Sequence, residues 1–186
     1  MKWTLPNELS LIRIACAPVA FILAVWQQPN QFLLVLGLAF FLDAIDGPLA
    51  RRLHQVSKLG SKLDSIADFL VYLAFAAGAA LLWPEIIRQE MVFVVTIVMS
   101  IIMPTIVGLI RFHITTSYHT WLVKIAAVCT TVSGFLLFLG GPGWPFRISA
   151  IICALAALEE IVITLVIKQP RHDVKSLLHV IKYGNR

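Results

Sequence analysis

The chain has 186 residues, 59% of them hydrophobic and only 13% charged, with a mean hydropathy of +0.87. A water-soluble domain of this length needs far more charge to cover its surface, so the composition fits lipid as solvent. The net charge of +5 needs no nucleic-acid partner, because cations beside an anionic leaflet account for it. Cys16, Cys129 and Cys153 match no zinc or redox spacing and read as small apolar packing residues.

Six stretches reach the roughly 20 apolar residues that a bilayer-spanning helix needs. They are Leu9–Trp26, Gln31–Ala50, Leu63–Trp83, Met91–Phe112, Trp121–Leu139 and Phe146–Ile167. Backbone groups in lipid must be satisfied within the segment, so helices are the expected form. The first is expected to remain as a helix, since no small-residue cleavage site marks it as a signal peptide. Breaker residues separate the spans at Pro29-Asn30, at Pro84 and at Gly140-Gly141-Pro142-Gly143. In the third span, Ala74, Ala76, Ala77, Gly78, Ala79 and Ala80 form a small-residue surface suited to close helix packing. Glu159 and Glu160 in the sixth span are read either as a counter-ion for Arg111 or Lys124 or as a helix–helix hydrogen bond. Beyond it, Asp173–Tyr183 places Val174, Leu177, Leu178 and Ile181 on a helical period, as in an amphipathic surface helix.

Six spans put both termini on one side. Thirteen of the fifteen Lys and Arg residues then share that side, and only Arg88 and Arg147 lie opposite. The positive-inside rule makes the crowded side cytoplasmic, with Trp26, Trp83 and Trp144 at the other ends of the spans. The expectation is an all-α integral membrane protein: one domain over residues 1–186, six transmembrane helices, both termini cytoplasmic, and a short C-terminal amphipathic helix. His54 and Lys58 read as solvated loop residues, and His172 and His179 as part of the surface helix.

Ionisable residues inside spans are costly and mark function. Asp43 and Asp46 are three apart and share a helix face near the cytoplasmic end of the second span. Asp64 and Asp68 are four apart and share a face at the start of the third. A short loop joins these helices, which are expected to be antiparallel neighbours with all four carboxylates at one depth. Such a cluster demands a cation. All-oxygen donors without His or Cys favour Mg²⁺ or Mn²⁺, as one ion or a pair, and a pair suits a diphosphate. The neighbouring residues fit a phosphate ligand. Gly47 and Ala50 leave room beside the helix, Arg51 offers paired donors to phosphate oxygens, and Gly60 opens the start of the third span. Pro48 is expected to loosen or kink the helix just beyond the carboxylates.

Residues 43–68 read D-x2-D-G-x2-A-R-x8-G-x3-D-x3-D. This resembles the signature of the CDP-alcohol phosphotransferase family at all eight defining positions. The start, Pro6-Asn7-Glu8-Leu9-Ser10-Leu11-Ile12-Arg13, resembles that of bacterial phosphatidylglycerophosphate and cardiolipin synthases. The resemblance implies transfer of a phosphatidyl group from CDP-diacylglycerol to an alcohol, with release of CMP. It implies two Mg²⁺ or Mn²⁺ ions on Asp43, Asp46, Asp64 and Asp68, with Asp68 also the general base. It places Gly47, Ala50, Arg51 and Gly60 at the CDP donor. It further implies a homodimer in the bacterial inner membrane with its active site toward the cytoplasm. Glycerol 3-phosphate is the expected acceptor, with inositol phosphate or phosphatidylglycerol as alternatives. Arg111, Lys124 and Arg13, with His113 and His119 nearby, are candidates to hold it; the alternative for Arg111 and Lys124 is that they only mark the interface. Phe69 stands where many phosphatidylglycerophosphate synthases carry Lys, and Met103-Pro104-Thr105 replaces a charged run often found there.

Two other classes of function meet the same residues less well. A divalent-cation transporter would continue its acidic path across the membrane and carry paired broken helices. A membrane scaffold would not need four acids at this spacing.

Overall fold

A computed structural model describes residues 5–53, 57–112 and 120–167, so the expected surface helix at Asp173–Tyr183 lies outside it, as do His54, His113 and His119. Among the described residues the chain is helical: α1 (Leu5–Val25), α2 (Pro29–Arg52), α3 (Lys58–Leu82), α4 (Pro84–Gln89), α5 (Met91–Phe112), α6 (Trp121–Phe138) and α7 (Trp144–Val166). All but α4 are long and apolar enough to cross a membrane, which makes this an integral membrane protein.

Helix starts differ most from expectation, and proline is the main reason. Pro29 and Pro84 open α2 and α4, and Pro145 sits in the first turn of α7. The missing N–H costs nothing there, and the fixed φ suits the helix. Residues read as breakers are therefore starters, and the Pro84 turn is the short helix α4. The first helix likewise begins at Leu5, with Pro6 in its first turn, rather than at Leu9. Ser57 caps α3 by accepting from the Gly60 N–H, so α3 starts well before Leu63. Pro48 lies inside α2, which continues past it to Arg52.

The chain divides into two compact units between Ile87 and Arg88. In the first, α1 lies against both α2 and α3, while α2 and α3 touch each other only briefly. The carboxylate-bearing helices are thus held mainly through α1. Its buried face runs Asn7, Ser10, Arg13, Ala17, Ala20 and Ala24, in steps of three and four residues. One half of that stripe is polar and the other is alanine, which lets neighbouring backbones approach.

At the alanine end, Gly78 does what the small-residue surface suggests. A β-carbon there would meet the ring of the fully buried Phe32 at 2.3 Å and the Ala24 methyl at 3.2 Å. Gly78→Ala is expected to destabilise the protein by about 1–3 kcal/mol through overpacking. Denaturant titration of the detergent-solubilised protein checks this. A gain in stability, as from the better helix propensity of Ala, would refute the packing account.

In the second unit α7 lies against both α5 and α6. Glu90, just before α5, accepts from Arg147 in the first turn of α7, with Nη2 2.7 Å from Oε1 and Nε 3.0 Å from Oε2. Gly143, the residue capping α7, leaves the space this carboxylate needs, since a β-carbon there would lie 2.9 Å from Oε1. The Glu90 side chain is 6% exposed and that of Arg147 53%. Removing Arg147 strands a buried carboxylate, whereas removing Glu90 leaves a guanidinium that water can solvate. Arg147→Ala should therefore lower the melting temperature more than Glu90→Gln, and the reverse order would contradict the burial argument.

Candidate metal and nucleotide site

The polar half of the α1 stripe meets the signature of α2 and α3 inside the first unit. One carboxylate oxygen each from Asp43, Asp64 and Asp68 lies within 4.8 Å of the others. These side chains are 43–46% exposed, so a ligand reaches them from outside. Arg13, only 2% exposed, projects from α1 among them. Its Nη2 pairs with Asp43 Oδ1 at 2.8 Å and also with Asp68 Oδ1, while Nη1 pairs with Asp64 Oδ1 at 2.6 Å. Arg13 Nε is buried and finds no partner.

Asp46 stands apart from this triad. It is buried and accepts from Ser10 Oγ at 3.0 Å, and the same hydroxyl lies 3.2 Å from the Pro6 carbonyl. Gly47 and Ala50 are partly buried in the last turns of α2, and Arg51 follows in the same helix. The side-chain space absent at Gly60 is taken from within the protein. A β-carbon there would lie 2.9 Å from Asn7 Oδ1 and 3.1 Å from Ser57 Oγ. Gly60 thus lets α1 and α3 close together, and Asn7 Oδ1 ends buried beside it without a donor.

Arg111 and Lys124 belong to the second unit. Arg111 Nη2 donates to the Ile167 carbonyl at 3.2 Å, closing the C-terminal end of α7. The Lys124 ammonium sits 5.2 Å above the Trp121 ring. Glu159 and Glu160 are partly buried in α7. The three cysteines are free.

The sequence reading did not single out Asn7 or Ser10. A signal for them existed: with Arg13 they recur every three residues on one face of an apolar helix. Starting the span at Leu9 left Asn7 outside it and hid the repeat.

The donor set fits a divalent cation. All ligand atoms are hard carboxylate oxygens, they converge, and a cationic group already lies between them. Carboxylates clustered among membrane-crossing helices fit either an ion pathway or a metal-dependent site for a phosphorylated ligand. Sequence comparison decides between these. The family model for CDP-alcohol phosphatidyltransferase matches residues 3–166, and the chain belongs to that family. It is an enzyme of phospholipid biosynthesis that transfers from a CDP-linked donor, and its family is generally metal-dependent.

Among its relatives, a cardiolipin synthase (CMP-forming) of Streptomyces coelicolor is 33% identical over 156 residues, 80% of this chain and 71% of that protein. A CDP-diacylglycerol–glycerol-3-phosphate 3-phosphatidyltransferase of Cereibacter sphaeroides is 43% identical over 72 residues, 37% of this chain and 33% of that protein. A CDP-diacylglycerol–inositol 3-phosphatidyltransferase of Saccharomyces cerevisiae is 35% identical over 66 residues, 36% of this chain and 30% of that protein. No solved structure matches the chain.

Proposed function

We propose that the protein transfers a phosphatidyl group from CDP-diacylglycerol to a primary hydroxyl of a glycerol-phosphate unit, releasing CMP. The observation that carries this reading is the convergence of the Asp43, Asp64 and Asp68 oxygens within 4.8 Å. Asp43, Asp46, Asp64 and Asp68 would hold two Mg²⁺ or Mn²⁺ ions. Such a pair, when bound, neutralises a diphosphate and the charge that builds on its leaving group.

The chain's own residues do the rest. Gly47 and Ala50 line the nucleotide, and Arg51 donates to its phosphates. Asp68, accessible on α3, takes the proton of the acceptor hydroxyl. That oxygen bonds to the β-phosphorus in line with the bond that breaks, and CMP departs with the bonding pair. The family model spans both compact units, which supports reading them as one working domain. The bias of thirteen cations to the carboxylate side supports a cytoplasm-facing site in a bacterial inner membrane. The homodimer rests on the family resemblance.

Glycerol 3-phosphate is the first reading for the acceptor. Phosphatidylglycerol is the second. Two observations favour it: the Streptomyces match covers most of the chain, and Phe69, beside Asp68, is 67% exposed and apolar, as suits a lipid-borne acceptor.

The test is CMP release by the purified protein with Mn²⁺ and CDP-diacylglycerol, offering glycerol 3-phosphate, phosphatidylglycerol, inositol phosphate and serine in parallel. Release that depends on one of the first two is expected, and the lipid product tells them apart. Acceptor-independent release, or turnover only with inositol phosphate or serine, would reject the reading.

A further inference from the structure

Arg13 is the one cation that the described structure places among the carboxylates. The pattern of its contacts matters more than its presence. Nη2 bridges Asp43 Oδ1 and Asp68 Oδ1, and Nη1 holds Asp64 Oδ1. A divalent ion held by this triad would draw on the same three carboxylates. A small ion binds carboxylate oxygen at roughly 2.1 Å, inside the 2.6–2.8 Å over which Arg13 holds Asp64 and Asp43. The guanidinium and the ion therefore claim the same oxygens and the same space.

From this we infer that Arg13 is a positioning residue that competes with the divalent ion. It gathers Asp43, Asp64 and Asp68 while no metal is bound, and it must release their Oδ1 atoms when metal binds. The inference rests on reading the triad as a divalent-ion site.

The burial pattern supports a built device. Arg13 is 2% exposed, and its aliphatic stem is enclosed on the α1 face between α2 and α3. Its three partners carry three negative charges, so without Arg13 their mutual repulsion would be opposed by nothing else that the described structure puts in contact with them. Asp46 is kept out of the fork by Ser10. The unpartnered Nε leaves Arg13 incompletely satisfied in this arrangement, as expected of a group that also has another.

Competition has a measurable sign. If the arrangement with Arg13 withdrawn is about one-tenth populated, the apparent metal affinity is lowered about tenfold, and removing the guanidinium restores it. A residue that merely supported the site would give the opposite result.

The experiment is a Mn²⁺ titration of detergent-purified wild-type, Arg13→Gln and Arg13→Lys proteins, followed by electron paramagnetic resonance of free Mn²⁺, with melting curves in chelator. Arg13→Gln should bind Mn²⁺ about tenfold more tightly yet melt lower without metal. Arg13→Lys, a point charge without the fork, should fall between. Equal or weaker Mn²⁺ binding by folded Arg13→Gln would overturn the competition. Absence of Mn²⁺ binding by wild type and variant alike would instead overturn the metal reading. Should Arg13→Gln not fold, wild type alone decides. Mn²⁺ should increase the modification of Arg13 by an arginine-selective dicarbonyl, read by mass spectrometry, and unchanged protection would refute the inference.

Discussion

Asp68→Asn is expected to cut CMP release by about 10²–10⁴-fold, the usual contribution of a positioned general base. The substitution keeps the side chain's size and leaves Arg13 paired with Asp43 and Asp64, so the fold should survive. What it removes is the proton acceptor. Asp68 is also proposed to touch metal, and raising Mn²⁺ separates the two roles. If the loss persists at saturating Mn²⁺, the missing base explains it. Recovery of activity at high Mn²⁺ would reduce Asp68 to a ligand and retire the base assignment. Single-turnover release with preloaded CDP-diacylglycerol is the appropriate measurement, because it removes product release from the rate.

Chelation should have an equally large effect on activity and a small one on structure. EDTA is expected to bring CMP release to background, with recovery on adding Mg²⁺ or Mn²⁺. Helicity should barely change, because the carboxylates keep Arg13 as an internal counter-charge. Most structural metal sites behave differently, since their binding energy is folding energy. Turnover that persists in chelator would remove the metal from the proposed function altogether.

The spans were legible because hydropathy over some twenty residues is a strong and local signal. The four aspartates were legible because charge inside such spans is costly, and their spacing placed them on helix faces. What could not be read from the sequence was how the helices meet. A short loop between α2 and α3 suggested direct neighbours, yet α1 lies against both and supplies Asn7, Ser10 and Arg13. Arg13 was expected near the acceptor because a lone arginine on a helix carries no record of its partner. Gly60 was read as space for a ligand, and only coordinates show Asn7 filling that space. The Glu90–Arg147 pair joins residues 57 apart in sequence and has no local signature.

Arg13 near the middle of α1 also bears on how the protein enters the membrane. The ribosome delivers α1 before α2 and α3, so the arginine reaches the translocon ahead of every acid that will neutralise it. Insertion scales put an unpaired arginine at a helix centre at about +2.5 to +3.5 kcal/mol, a penalty that falls away only once Asp43 and then Asp64 and Asp68 have been synthesised. Charge thus gives α1 reason to linger beside the translocation channel until the two following segments arrive, and the clustered acids double as its passport into lipid.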